Sequence, residues 1–461
     1  MARLPELRYF HSHYLDDEWI EWLPAMSKLI DAKNESLKYG PSPASLLALL
    51  DKARHLERLS IQRKSLNDDV IEACNRRPIA GDVVNALRFT LSVQFHEEEL
   101  PPSPDDVEML KRITVDSELR FAGPHQKPVD MEIDGYPTKK LDVSGTNRLV
   151  VRNCPDLEEV RVWSNQQLDV ASCPRLTKLD GQAGQASSHQ MTKRIARITS
   201  SPMIRTLSLV GYDESDVEDC PTLYDLRLDS HYGPGGAAQR SLAQATLRRI
   251  GSPGNVSLRN TNVDLDDPQK FRALALNADH EKWYELLERF PNVRMLIVHS
   301  IPRHQKPEEW EEVRRRNPRL ERLELSLLDN PSGSGPQISP DLTGMTSVRV
   351  LRIVSNHGWE AQFVDKHDRS LLPSNLEILV LQNSYRGRVL YSDLHRPFRL
   401  LKRHHPRLLV IEESELETDV RRRFRTTPLQ ELTELSDPEA MRRLNADWWQ
   451  KLRPAHISSN D

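Results

Sequence analysis

The chain repeats a short pattern of apolar places: an anchor at place one, then apolar residues at place four and usually at place six. Leu157, Val160 and Val162 show it first clearly. Leu176 with Leu179, then Ile204 with Leu207 and Leu209, then Leu223 with Leu226 and Leu228 repeat it, with Gly181 at one sixth place. Anchors 157 and 176 stand 19 residues apart, as do 204 and 223. A second series is longer: Val293, Leu320, Val348 and Leu376 are separated by 27, 28 and 28 residues and keep the same apolar places. Upstream, "HLERLSI" (Leu56, Leu59, Ile61) and "MLKRITV" (Leu110, Ile113, Val115) fit the pattern, "VNALRF" (Val84) and "TKKLDV" (Leu141) are looser copies, a weaker one starts at Leu408, and degraded ones are read near Leu247 and Phe271.

Alternating apolar places predict a short strand with one buried side. One such strand cannot bury its row alone, so successive copies are expected to stack into a parallel sheet. The 19-residue coils predict only a turn on the return side. The longer coils have room for a helix, and "DHEKWYELLERF" and "KPEEWEEVRRR" supply helical spacing through Trp283, Leu286, Leu287 and Phe290, then Trp310 and Val313. Trp283 and Trp310 are expected to pack in the core.

The phrase resembles the leucine-rich repeat, L-x-x-L-x-L-x-x-N/C-x-L, over roughly residues 50 to 412. Asn165 and Asn356 stand at the family's asparagine place, whereas Lys64, Leu328 and Ser384 hold it elsewhere. The resemblance implies an α/β solenoid with a curved parallel sheet on the concave side, helices or turns on the convex side, and helical caps. The expected division is a helical cap over 1–50, the repeats over 51–412, and a helical tail or cap over 413–461. Residues 16–35 carry Trp19, Trp22, Leu23, Met26 and Leu29, and the tail carries Met441, Leu444, Trp448 and Trp449 after a potential N-cap, Ser436.

Composition narrows the classes. The 461 residues are 38% hydrophobic and 29% charged, with a formal charge of −4, which disfavours a protein built to coat nucleic acid. No run approaches the roughly 18 apolar residues of a membrane span, and the first residues lack a secretory pattern. Four cysteines in so long a chain are not a disulfide framework, so a reducing, cytoplasmic setting is expected. Cys154, Cys173 and Cys220 each precede Pro and stand three residues before an anchor, a slot held elsewhere by Ser201, Phe290, Asn317 and His405. Zinc needs converging ligands in closely spaced pairs, so these cysteines are expected to be buried structural thiols rather than ligands.

The phosphate-loop, zinc-protease and serine-hydrolase motifs are absent from the sequence. The glycine-rich "YGPGGAAQ" (232–239) is read as a loop, and the histidines of "HSHY" (11–14) and "RHHPR" (403–407) as solvated or capping residues. "GQAGQASSHQ" (181–190) and "DNPSGSGPQISP" (329–340) are read as insertions. The remaining signal is the outward side of the strands, at places three, five and seven. It comprises Lys140 and Asp142; Glu159, Arg161 and Trp163; Lys178 and Asp180; and Asp225, Arg227 and Asp229, with His231 just beyond. Both charge signs with one large aromatic suit a protein surface. The reading is a non-enzymatic scaffold, an adaptor or a bacterial effector-like protein, that binds a protein partner and needs no cofactor or metal. The alternatives are an enzyme whose site lies in a terminal extension, and nucleic-acid binding through the basic run 420–425.

Overall fold

The alternating places become parallel strands in the computed structural model. Leu119, Leu141, Val160, Leu179, Leu207 and Leu226 stand opposite one another across six neighbouring strands. Phe121, Val143, Val162, Gly181, Leu209 and Leu228 form the row beside them. The structure describes most of residues 8–412. It leaves out 13–16, 19–28, 35–39, 78–88, 124–127, 185–192, 231–242, 279–282, 302–306, 328–340, 356–362, 364–366, 384–403, both ends of the chain and some isolated positions.

The chain divides into two units, Met1–Gly251 with Thr261–Asp266, and Ser252–Asn260 with Asp267–Asp461. In the first, a front sheet of parallel strands runs from Tyr9–Ser12 through Asp31–Asn34, Arg58–Gln62, Thr90–Phe95, Asp116–Ala122, Lys140–Ser144, Glu159–Asn165, Lys178–Ala183 and Thr206–Val210 to Asp225–Asp229. The return side of the short coils is not a bare turn. It holds a second parallel sheet of seven strands, from Val129–Asp134 to Thr261–Leu265. Nineteen residues suffice for two short strands and two corners, and the return segments carry their own alternation. Leu149, Leu168, Ala196 and Ser215 stack in one row, and Val151, Val170, Ile198 and Val217 in the next. Each of those aliphatic side chains is at most 1% exposed, so the core lies between the two sheets.

The corner that leads from the second sheet towards the front strand explains the Cys-Pro phrase. Asn153, Ser172, Ser200, Asp219 and Arg249, each just before the slot residue, all have φ between 48° and 57°. Asn, Asp and Ser tolerate this left-handed backbone better than bulky residues do. The slot side chain then turns inward and bonds to the carbonyl two residues back. Cys154 donates to Arg152 at 3.3 Å, Cys173 to Ala171 at 3.4 Å, Ser201 to Thr199 at 3.3 Å and Cys220 to Glu218 at 3.6 Å. Serine and cysteine both carry one short donor, which is why Ser201 can interrupt the cysteine series.

Some sequence assignments shift. The copy read at Val84 lies mainly outside the described residues, and the strand there is Thr90–Phe95. Leu110 belongs to helix Pro104–Lys111, capped by Ser103, and the strand after it is Asp116–Ala122. Leu247 lies on the second sheet rather than the front one. The first 50 residues are not purely helical: Tyr9–Ser12 and Asp31–Asn34 extend the front sheet before helix Pro43–Lys52. Leu29 is fully buried, whereas Trp19, Trp22, Leu23 and Met26 lie outside the described residues.

The second unit carries the longer coils. Its strands are Asn255–Arg259, Ala273–Asn277, Met295–Ile301, Arg322–Leu327, Val350–Ser355, Ile378–Asn383 and Leu409–Glu412. Its return segments include helix Pro307–Arg316 and a 3-10 helix, Trp283–Arg289, where an α-helix is expected. The rings of Trp283 and Trp310 are buried and meet edge to face, 5.8 Å apart. Phe290, Asn317 and His405 occupy the buried slot before the strands, as the spacing implies.

Candidate functional site

Side chains at places three and five leave the front sheet on the face opposite the core. Strand register brings them into rows along the stacking direction. Glu118, Lys140, Glu159 and Lys178 are consecutive partners in one row; Arg120, Asp142, Arg161 and Asp180 are consecutive partners in the next. Sign alternates along each row and between rows, so the face is a checkerboard. Thr206 and Ser208 interrupt it for one coil before Asp225 and Arg227 resume it.

Neighbouring squares touch. Lys140 Nζ lies 3.2 Å from Glu118, and Arg120 Nε lies 3.9 Å from Asp142. Glu159 is a node: its Oε1 accepts from Lys178 Nζ at 3.0 Å and from Arg161 Nη2 at 2.8 Å. Partial burial alone would raise the Glu159 carboxyl, but the bonds from Lys178 and Arg161 outweigh it and hold the group below its ordinary range. Asp142 goes the other way. Burial raises it above its ordinary value, and Arg120 and Arg161 offset only part of that. Cross-strand pairs of this kind are each worth about 0.2–1 kcal/mol, and their arrangement opposes slippage of one coil against the next.

A cleft of about 310 Å³ opens on this face, lined by Asp31, Arg58, Ser60, Ser92, Gln94, Glu118, Arg120, Lys140, Asp142, Glu159 and Arg161 among others. Lys140, Asp142, Glu159 and Arg161 are legible in the sequence as outward residues. Glu118 and Arg120 are not, because the apolar phrase places the strand several residues too early, at Leu110. The signal is present: Leu119 and Phe121 alternate, and Leu119 precedes Leu141 by 22 residues.

Place seven forms a different row, Ala122, Ser144, Trp163 and Gln182, with Val210 beyond. These five are uncharged, and Trp163 is the only large side chain among them, 40% exposed. The same row ends at Asp229, where the outward expectation fails: Asp229 is 7% exposed, and Arg227 Nη2 lies 3.3 Å from it. Arg227 therefore serves a buried carboxylate as well as the surface. Lys178, Asp180 and Asp225 sit on the outward face as the pattern implies, and His231 lies outside the described residues.

Cys74, Cys154, Cys173 and Cys220 are all buried and unpaired. Burial pushes the Cys74 and Cys220 thiols up to about 12, and the neighbouring Cys173 together with burial raises Cys154. The raised thiols of Cys74, Cys154 and Cys220 stay neutral and pack as small apolar groups, whereas the bond from Cys154 lowers Cys173. Among the described residues no group of three or more His, Cys, Asp or Glu side chains is placed to hold a metal ion. His405 is 7% exposed, and its Nε2 lies 2.9 Å from Ser370 Oγ. The glycine-rich stretch 232–239, the insertion 329–340, Asn356 and the basic run 420–425 lie outside the described residues.

No described helix is long and apolar enough to cross a membrane. A scan against protein-family models finds no match to the chain, and no curated protein matches it in sequence.

Proposed function

We propose that this chain is a non-enzymatic recognition scaffold of the leucine-rich-repeat type that binds a protein partner along the outward face of its front sheet. Trp163 carries the reading. A tryptophan 40% exposed in a row of small uncharged side chains offers a large contact area at low rotamer cost. The checkerboard beside it supports a protein over a polyanion. Lys140, Lys178 and Arg120 already face carboxylates, so few cations are left to neutralise phosphate. The buried, unpaired thiols fit a cytoplasmic setting. The Leu-x-x-Leu-x-Leu phrase and the buried Asn165 support the repeat class, although a second sheet replaces the helix or turn in its short coils.

The test is a comparison of native chain and Trp163→Ala as baits in extract of the source cells. A protein retained by the first and lost by the second, with unchanged melting of the bait, supports the proposal. Identical protein partners for both baits, or retention of nucleic acid alone in a salt-dependent way, rejects it.

A further inference from the structure

The checkerboard of the front sheet stops inside its cleft. One outward row runs Ser60, Ser92, Glu118, Lys140, Glu159 in consecutive register, and the next runs Gln94, Arg120, Asp142, Arg161. Charge alternates from Glu118 and Arg120 onward, whereas the two strands before them carry hydroxyls and an amide in the same rows. Gln94 Nε2 donates to Ser60 Oγ at 3.0 Å, and both residues are buried. Short polar side chains beside longer charged ones leave the cleft of about 310 Å³. Arg58 lines it from the start of the Ser60 strand, and Arg120 lines it from two strands on.

The charges around this floor are not equally met. Glu118 faces Lys140 at 3.2 Å, and Glu159 accepts from Lys178 and Arg161. Among the described residues Arg120 pairs with Asp142 alone, 3.9 Å from its Nε, and its register neighbour on the other side is uncharged Gln94. Arg58 makes neither an ion pair nor a side-chain hydrogen bond among them, and stays beyond ion-pair reach of its register neighbour Asp31. Asp142 is the least met of the carboxylates, yet both Arg120 and Arg161 act on it. The unmet charge in the cleft is guanidinium. We infer that the cleft seats a carboxylate side chain of the protein partner, an aspartate or glutamate, held by Arg58 and Arg120 with the Ser92 hydroxyl as a further donor. A guanidinium presents a fixed fork of donors that matches a carboxylate. A carboxylate over Gln94 also completes the alternation beside Arg120. Phosphate suits the cleft less, because its second charge meets the carboxylates of Asp31, Glu118, Asp142 and Glu159 on the same walls. The inference rests on the reading of this face as a protein-binding surface and gives the chemistry of one contact on it.

The experiment titrates a blocked peptide, Gly-Ser-Glu-Ser-Gly, up to millimolar concentration over the immobilised full chain at low salt. Versions with Gln, Lys or phosphoserine at the centre are run beside it. The Glu peptide should bind, and the Gln and Lys peptides should not. Arg58→Gln and Arg120→Gln should each weaken that binding roughly fivefold or more without lowering the melting temperature. Arg58→Lys keeps the charge but loses the fork, and should restore the binding only in part. Arg197→Gln, which removes an exposed guanidinium from the second sheet, should change nothing. Equal binding of the Glu and Gln peptides, or binding that the Arg58 and Arg120 substitutions leave intact, overturns the inference. Tighter binding of the phosphoserine peptide would assign the cleft to phosphate and overturn it equally. Trp163 takes no part in this titration, so the two failures read differently. A partner lost from the Trp163→Ala bait while the Glu peptide fails to bind would uphold the scaffold and reject the acidic contact.

Discussion

Tyr212 donates its hydroxyl to the Asn165 side-chain oxygen at 2.6 Å, both residues buried and 47 positions apart. Asn165 Nδ2 in turn donates to the Gln167 carbonyl at 3.1 Å, so the amide ties the corner between front and return strands. A Cβ on Gly181 would come within 3.3 Å of the Tyr212 hydroxyl and 3.0 Å of Leu168. The glycine that breaks the apolar pattern is the space in which the tyrosine reaches the asparagine. Tyr212→Phe leaves a buried acceptor unmet and should cost about 1–3 kcal/mol in urea unfolding. A loss below a few tenths would show that the bond does not hold the corner.

The cysteine slot should accept serine. Ser201 already makes the bond that Cys173 makes, to the carbonyl two residues back. Cys173→Ser is expected to cost less than about 1 kcal/mol, whereas Cys173→Ala loses both donor and volume and should cost more. Thermal melting of the two variants decides it, and the reverse order would mean that the slot penalises a hydroxyl rather than using it as a donor.

The front sheet is legible because its strands need an anchor and two inward apolar residues, a period that survives changes of coil length. The second sheet escapes because its strands carry a weaker signal: Leu168 and Val170 alternate, but Ala196 and Ser215 dilute the same row. The outward residues emerge wherever the anchor is clear, and are lost where helix Pro104–Lys111 imitates the strand phrase through Leu110. Asp229 departs from the pattern for a different reason. Asp229 is the last residue of its strand, where alternation no longer fixes which side is covered.

The two kinds of tryptophan should separate cleanly. Trp310→Ala removes a ring that packs against Trp283 and should destabilise the protein by about 3–5 kcal/mol. Trp163→Ala should change stability by no more than about 0.5 kcal/mol. Denaturant midpoints for the pair test this, and a large loss at Trp163 would turn its exposure into a packing role. Arg227→Ala is a poorer probe of binding, because it also takes a partner from buried Asp229.

The last expectation concerns pH. Burial lowers the pKa of His405, with His404 adding to the effect, so the folded chain holds this ring neutral beside Ser370. The unfolded chain takes up the proton at the ordinary histidine value, near 6.5. The unfolded state therefore binds more protons in this window, and stability must rise with pH across it. The contribution is present in full above the ordinary value and is lost as pH falls from there through the lowered folded value. His405→Gln keeps a polar group for Ser370 but removes the titration. The native chain should thus lose more stability than His405→Gln between about pH 7.5 and pH 5.5, compared by urea unfolding of each at both values. Equal losses would mean that His405 takes up its proton as readily in the fold as in the unfolded chain, and that the buried slot before Leu408 does not exclude charge.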